Sequence, residues 1–456
     1  MLWRNSDIDA ECVIHTLDDD FDLHALHQYA PHRYPFLLQS TASESELGRF
    51  DILFACPGDS LVLSDIGQLQ GSPEHREFLQ ALDEKWRVES TCPIGAALPF
   101  TGGWFLYLGY ELAAEIEPRL TAAVDSVLPV AFAVRCKAAV IEDRLNGERY
   151  LVQEHDANLD ADELASDIRR CMRTAAEEAP DYRPNAVEES PQGFIDAVVR
   201  AKEYISAGDI YQANLSRGWS ASAGEKLDTD RIYASLSSAN PAPFAGLVRW
   251  QDATIISSSP ERLLAIRDGI ISTRPIAGTR PRSDDKDTDD SLSAELFSHP
   301  KEIAEHVMLI DLERNDLGRV CEPGSVEVDE MMVLESYAHV HHIVSNVRGV
   351  LRSDVTPGDA IRAVFPGGTI TGCPKIRCME IIHELESGPR GAYTGSFGYL
   401  NRDGSLDLNI LIRTMVVRDN TITFRAGSGI VADSEAQAEL AETRAKAKGL
   451  LRALSS

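Results

Sequence analysis

The chain has 456 residues and a formal net charge of -28, with 72 acidic against 44 basic side chains. A surplus of that size repels nucleic acid and anionic membranes, so neither is an expected partner, and an anionic substrate needs cations or a metal gathered locally. No apolar run approaches the roughly 20 residues of a membrane span, the start does not resemble a signal peptide, and eight scattered cysteines without a Cys-x-x-Cys pair fit reduced, packing thiols in a cytoplasm.

Residues 36–40, 50–54, 100–105 and 130–134 read as strands from their apolar alternation and flanking turn residues. A helix with Asp160 as N-cap is expected to run to about residue 174. Residues 175–192, rich in Glu, Pro, Asp and Asn, form the expected linker. It separates an N-terminal lobe, 1–178, from a second lobe, 190–456. The second lobe opens with a helix over 193–207 closed by Gly208. Strands follow at 211–215, 244–250, 253–257 and 263–266. Residues 283–290 carry five aspartates and are expected to form an exposed loop. Pro300 starts a helix to about residue 312. A glycine-rich turn, 365–375, leads into an amphipathic helix over 376–385, and strands are expected at 397–400, 405–417 and 421–426. Ser434 and Gln437 read as the capping box of a final helix reaching about residue 450. Many strands with few βα alternations argue for an α+β fold with antiparallel sheets and helices outside.

Several side chains carry potential chemistry. Glu305 sits among apolar neighbours in the helix from Pro300, where a carboxylate needs a cation: a salt-bridge partner or a Mg²⁺ ion. Glu442 and Lys446 are four residues apart on the last helix, as a surface ion pair or as a metal-binding carboxylate beside a substrate-binding ammonium. Glu261, in Ser-Ser-Pro-Glu-Arg, ends a strand and is either a turn cap or a general acid or base. His339, His341 and His342 offer a second proton-transfer group, though His342 cannot share an inward face with an adjacent histidine on one strand. Gly427 and Gly429 allow main-chain N–H groups to approach an anion, and Arg413 suits a carboxylate fork.

These pieces, in this order, resemble the chorismate-utilising enzymes, specifically the large subunits of anthranilate synthase and 4-amino-4-deoxychorismate synthase. The stretches that carry the resemblance include 208–212, Ser259-Pro260-Glu261-Arg262, 274–279, Ala304-Glu305-His306, 311–319, Gly372-Cys373-Pro374-Lys375, Tyr393-Thr394-Gly395 and 427–434. The resemblance implies a sandwich of two facing antiparallel sheets with the site in a cleft between them. It implies Mg²⁺ on Glu305 and Glu442, and substrate carboxylates on Tyr393, Arg413, Lys446, Gly427 and Gly429. Gln212, Thr279, Thr371 and Gly372 would line the pocket, and Glu261 and His342 would handle protons. It also implies a glutaminase partner supplying ammonia. A tryptophan pocket is implied near 37–40, and a non-catalytic tryptophan-binding relative is a further alternative.

Two features bear on the nucleophile. Water-adding relatives place a lysine where this chain has Gln212, and glutamine cannot activate water as a base. Ala277 stands where aminodeoxychorismate synthases carry a lysine nucleophile, as in anthranilate synthases. The turn 367–372 instead resembles the aminodeoxychorismate group. The expectation is an aminodeoxychorismate synthase large subunit serving 4-aminobenzoate and folate synthesis, with anthranilate synthase component I as the alternative.

Overall fold

The computed structural model describes residues 3–8, 11–18, 20–42, 48–92, 98–121, 127–157, 159–173, 184–224, 226–283, 285–298, 300–337 and 340–455. Its strands form a single antiparallel hydrogen-bonded network. Two long strands, Phe50–Asp65 and Ala131–Asp143, pair along most of their length and carry the network from one arm to another. One arm runs from Phe36–Gln39 through Phe244–Trp250, Ala253–Ser259, Thr414–Arg418 and Thr421–Ile430 to Gln212–Ser222. The other runs from Gly103–Leu108 through Ser396–Asn401, Leu406–Asn409, Arg262–Arg267 and Ile270–Arg274 to Val340–Val350.

The arms face each other across a layer of aromatic rings. Phe36 stacks on Phe105 with centroids 4.1 Å apart, and Phe132 on Trp250 at 3.9 Å. Gly246 is required at this contact, since a Cβ there would lie 2.7 Å from the Phe397 ring. This is the expected sandwich, and helices cover its outer faces. Ala436–Ala453 packs on Thr421–Ile430, and Pro300–Gly318 on Val340–Val350. Each arm takes strands from both parts of the chain, as where Phe36–Gln39 pairs with Phe244–Trp250.

Asp160 caps the helix Ala161–Cys171 as expected, accepting from the Asp162 N–H. Residues 174–183, which hold the first half of the expected linker, lie outside the described residues. The next helix, Pro191–Ala207, ends at Gly208 with φ 82°.

Three expectations are corrected. Residues 405–417 are not one strand: Leu406–Asn409 lies in one arm and Thr414–Arg418 in the other, and the chain crosses between them. The aspartate-rich stretch is mostly helix, Lys286–Ser298, because Asp285 accepts from the Thr288 N–H and hydroxyl and acidic side chains favour a helix N-terminus. Ser434 does not cap the last helix. Its hydroxyl instead accepts from the Val431 N–H one turn earlier, and the helix starts at Ala436.

Candidate active site

The two crossings between arms lie side by side. Ala253–Ser259 belongs to one arm and Arg262–Arg267 to the other, so Pro260 and Glu261 span the gap. Residues 410–413 cross back beside them, with Arg413 at φ 53°. The Ile410 N–H donates to the Glu261 carbonyl at 2.9 Å, and the Ser258 N–H to the Arg413 carbonyl at 3.2 Å. The Ser259 hydroxyl also donates to the Ile410 carbonyl. Glu261 and Arg413 are thus delivered together, from distant parts of the sequence, to the place where the sheets part.

Burial sets the electrostatics there. Glu261 is 5% exposed, and its Oε1 has no hydrogen-bond partner among the described residues. Burial pushes its carboxyl up to about 7 against the opposing pull of the Thr369 hydroxyl, the Ile276 N–H, Lys446 and Arg413. Burial lowers the Arg413 guanidinium from its ordinary value, with Glu261 pulling the other way, and its Nη1 donates to Asn240 Oδ1 at 3.3 Å. His342 pairs across strands with Thr279, and its Nδ1 lies 2.9 Å from the Thr279 hydroxyl and 3.4 Å from the Gly278 carbonyl. Burial and the nearby Arg413 charge push His342 down to about 3, so the ring is neutral, and its Nε2 is unpartnered among the described residues. Ala277 lies on the same strand as Thr279, with a bulge at Gly278 between them.

His341 is also buried, but it faces Ser336 and Asp289 under the helix Lys286–Ser298. Adjacent histidines therefore both point inward, one to each covered side of the strand. His339 lies outside the described residues.

A second group surrounds two glycines. The strand Gln212–Ser222 lies between Gly372–Cys373 and Thr421–Ile430. Gln212 and Asn214 share one face of it, and Gly427 and Gly429 share one face of the neighbouring strand. A Cβ at Gly429 would lie 2.3 Å from Gln212 Nε2, and one at Gly427 would lie 2.7 Å from both Asn214 Oδ1 and the Tyr393 hydroxyl. Gln212 Oε1 and Asn214 Oδ1 are buried and unpartnered among the described residues. Burial pushes the Tyr393 hydroxyl up to about 12, so it remains a donor.

Gly372, at φ 138°, brings its backbone against the Gln212 carbonyl. Thr371 turns its hydroxyl back to the Gly367 carbonyl, 2.9 Å away, while its own carbonyl accepts from the Asn214 N–H. Lys446 Nζ reaches the Gly427 carbonyl at 3.0 Å and Glu442 at 2.8 Å. The Glu442–Lys446 pair is therefore an ion pair and is also docked on the glycine strand. Lys446 and Arg413 both act on Glu261, which joins the two groups electrostatically.

A family profile described as chorismate binding enzyme matches residues 35–452. The chain belongs to the chorismate-binding enzymes. It is 44% identical over 372 residues to the anthranilate synthase component I-like protein of Synechocystis sp., covering 80% of this chain and 76% of that one. It is 35% identical over 467 residues to anthranilate synthase component 1 of Acinetobacter calcoaceticus, covering 96% and 93%. Among solved structures, anthranilate synthase component I of Streptococcus pneumoniae superposes with a TM-score of 0.78 at 32% identity, covering 90% and 93%.

For a chorismate-binding enzyme the implied ion is Mg²⁺. Glu442 is 48% exposed on the last helix, and Glu305 is half-buried on Pro300–Gly318. Among the described residues no three His, Cys, Asp or Glu gather as a metal cluster. Carboxylate oxygens are the donor type Mg²⁺ takes, the ion completing its shell with water and substrate oxygens.

Sequence reasoning missed Asn214, Asn240 and Thr369. The first was within reach, two residues beyond Gln212 on a predicted strand. The other two adjoin Arg413 and Glu261 only through the tertiary fold.

Proposed function

We propose that this protein is the chorismate-aminating subunit of an anthranilate synthase. In that reaction ammonia adds at ring C2, the C4 hydroxyl leaves as water, and pyruvate is then lost to give anthranilate. Ala277 is the observation that carries the reading. It leaves no lysine to form the covalent C2 adduct through which ammonia would enter at C4. Relatives named anthranilate synthase component 1, matching almost end to end, support the same choice. The aminodeoxychorismate reading retains the turn 367–372, the Ser-Pro-Glu-Arg stretch and the short, compact N-terminal half.

In this reading the dianionic substrate is held by Tyr393, Arg413, Lys446 and the N–H groups of Gly427 and Gly429. Gln212, Thr279, Thr371 and Gly372 line its pocket. Glu261, poised near neutrality, donates its proton to the departing hydroxyl. Neutral His342, steadied at Nδ1 by Thr279, keeps Nε2 available for a hydrogen bond as protons move at the ring. Mg²⁺ held by Glu305 and Glu442 would, when bound, neutralise the ring carboxylate and draw electron density from the ring.

A separate glutaminase is the proposed ammonia source, replaceable in vitro by ammonium. A cavity of 620 Å³ between the arms, lined by Leu38, Gln39, Phe50, Phe244, Arg262 and Asp407 among others, is the proposed tryptophan site.

The test is incubation with chorismate, Mg²⁺ and ammonium, followed by anthranilate fluorescence. Anthranilate forming directly is the expected result. 4-Aminobenzoate forming only after addition of an aminodeoxychorismate lyase would transfer the reading to C4 amination. No loss of chorismate would defeat both.

A further inference from the structure

A buried arginine beside the site has no part in the reaction proposed above. Arg390 precedes Tyr393 by three residues, and its side chain is 1% exposed. Five hydrogen bonds leave it, as many as a guanidinium has N–H groups. Nε and Nη2 donate to the two Glu386 carboxylate oxygens at 3.0 and 2.6 Å. Nη2 also donates to the Asn214 carbonyl at 2.7 Å. Nη1 donates to the Ile370 carbonyl at 3.0 Å and to the Thr394 hydroxyl at 3.3 Å. The cation lies 4.7 Å from the centre of the Tyr110 ring and 5.6 Å from that of Tyr393.

Apart from Glu386, these acceptors belong to three separate segments, and each segment carries pocket residues. Asn214 follows Gln212 on the strand Gln212–Ser222. Ile370 precedes Thr371 and Gly372 in the glycine-rich turn, and Thr394 follows Tyr393. The first two segments already meet, since the Asn214 N–H donates to the Thr371 carbonyl at 2.8 Å. Arg390 ties the third to both. Its own main chain is anchored, the N–H donating to Glu111 Oε1 at 2.8 Å. Glu386 extends the connection to the glycine strand. It accepts from the Ser216 N–H and hydroxyl at 2.8 and 3.0 Å and from Arg425 at 3.2 Å, and Ser216 pairs with Gly427.

A plain ion pair with Glu386 explains two of the five bonds. A lysine would serve for that. Its compact ammonium could not also reach two carbonyls and a hydroxyl spread around a planar fork. The other three bonds go to the segments that carry the pocket residues.

We propose that Arg390 is the positioning residue of the substrate pocket: its guanidinium fixes the spacing between the Gln212–Asn214 strand, the Thr371–Gly372 turn and the Tyr393 loop. It acts through two main-chain carbonyls, the Thr394 hydroxyl and the Tyr393 ring, without touching the substrate. The Tyr393 hydroxyl is thereby held against Gly427. The role rests on chorismate binding among these residues, as in the proposed function, whichever product forms there.

The test compares Arg390→Lys with the double variant Arg390→Met, Glu386→Gln. The first keeps the charge pair. The second removes both charges, and Arg425 keeps Glu189 as a partner, so neither variant strands a buried ion. Chorismate binding, measured by calorimetry with Mg²⁺ and no ammonium, should weaken by about tenfold or more in both. KM for chorismate should rise with it, while KM for ammonium stays unchanged. A purely structural role would reduce the folded fraction, lowering kcat and leaving affinity as it was. Unchanged affinity in either folded variant overturns the proposal, and so does failure of both variants to fold. Amide hydrogen exchange gives a reading without substrate. Peptides spanning 368–373 and 391–395 should exchange about tenfold faster or more in Arg390→Lys, with Ala131–Asp143 unchanged. Equal acceleration everywhere, or none, overturns the proposal. If the unaltered protein does not bind chorismate, the proposed function fails instead, and the exchange pattern still decides whether Arg390 fixes these segments.

Discussion

Glu261 shows how a side chain's environment gives it a role that its type does not. An exposed glutamate at a turn would be ionised at neutral pH. Inside the crossing between sheets, it is lifted from 4.5 to about 7 by loss of solvent. The folded state then binds that proton more tightly than the unfolded chain. The stability gained is complete below about pH 4.5 and lost as pH rises through about 7. The isosteric, uncharged variant Glu261→Gln should therefore unfold at the same urea concentration as the parent at pH 4, yet be more stable by up to about 3 kcal/mol at pH 8. Its turnover should fall by about 10²- to 10⁴-fold. An equal stability change at both pH values would show that the carboxyl has the same proton affinity folded and unfolded. The motif around Glu261 was readable in the sequence. Its raised proton affinity was not, because burial depends on strands from elsewhere in the chain.

At the scale of elements, the strand Thr421–Ile430 supplies the site by omission. Its glycines leave space that Gln212, Asn214 and Tyr393 occupy from their own elements. Gly429→Ala would place a methyl 2.3 Å from Gln212 Nε2 and force that side chain aside. We expect KM for chorismate to rise at least tenfold, by roughly 1.4 kcal/mol of lost binding, with little change in far-UV circular dichroism. An unchanged KM would remove these glycines from the binding site. The glycines themselves stood out in the sequence, as did the last helix and its Glu442–Lys446 spacing. The break within 405–417 did not. Apolar alternation continues through Arg413, and only its left-handed backbone and the change of pairing partner show that the chain leaves one sheet for the other.

Across the whole molecule, the two arms must keep their distance and register for Glu261, Arg413 and the glycine strand to stay together. Gly246 sits where they touch, with the Phe397 ring of the other arm 2.7 Å and the Leu37 carbonyl of its own arm 2.9 Å from any added Cβ. Gly246→Ala should overpack this contact and cost about 1–3 kcal/mol, read as a lower denaturation midpoint, even though the residue is not in the site. A midpoint equal to the parent's would mean that the arms separate easily here. The N-terminal strands contribute to both arms and so tie the frame together.

The sequence by itself determined most element types, the antiparallel α+β character and the glycine cradle, while its motifs named the candidate site residues. Those features depend on alternation, capping and short spacings, all local along the chain. The tertiary structure alone decided that Glu261 and Arg413 cross between sheets side by side, that neighbouring histidines both find covered faces, and that Arg390 lies enclosed among three segments of the site. Each of these depends on which distant segments exclude water from a given side chain, and no local pattern records that.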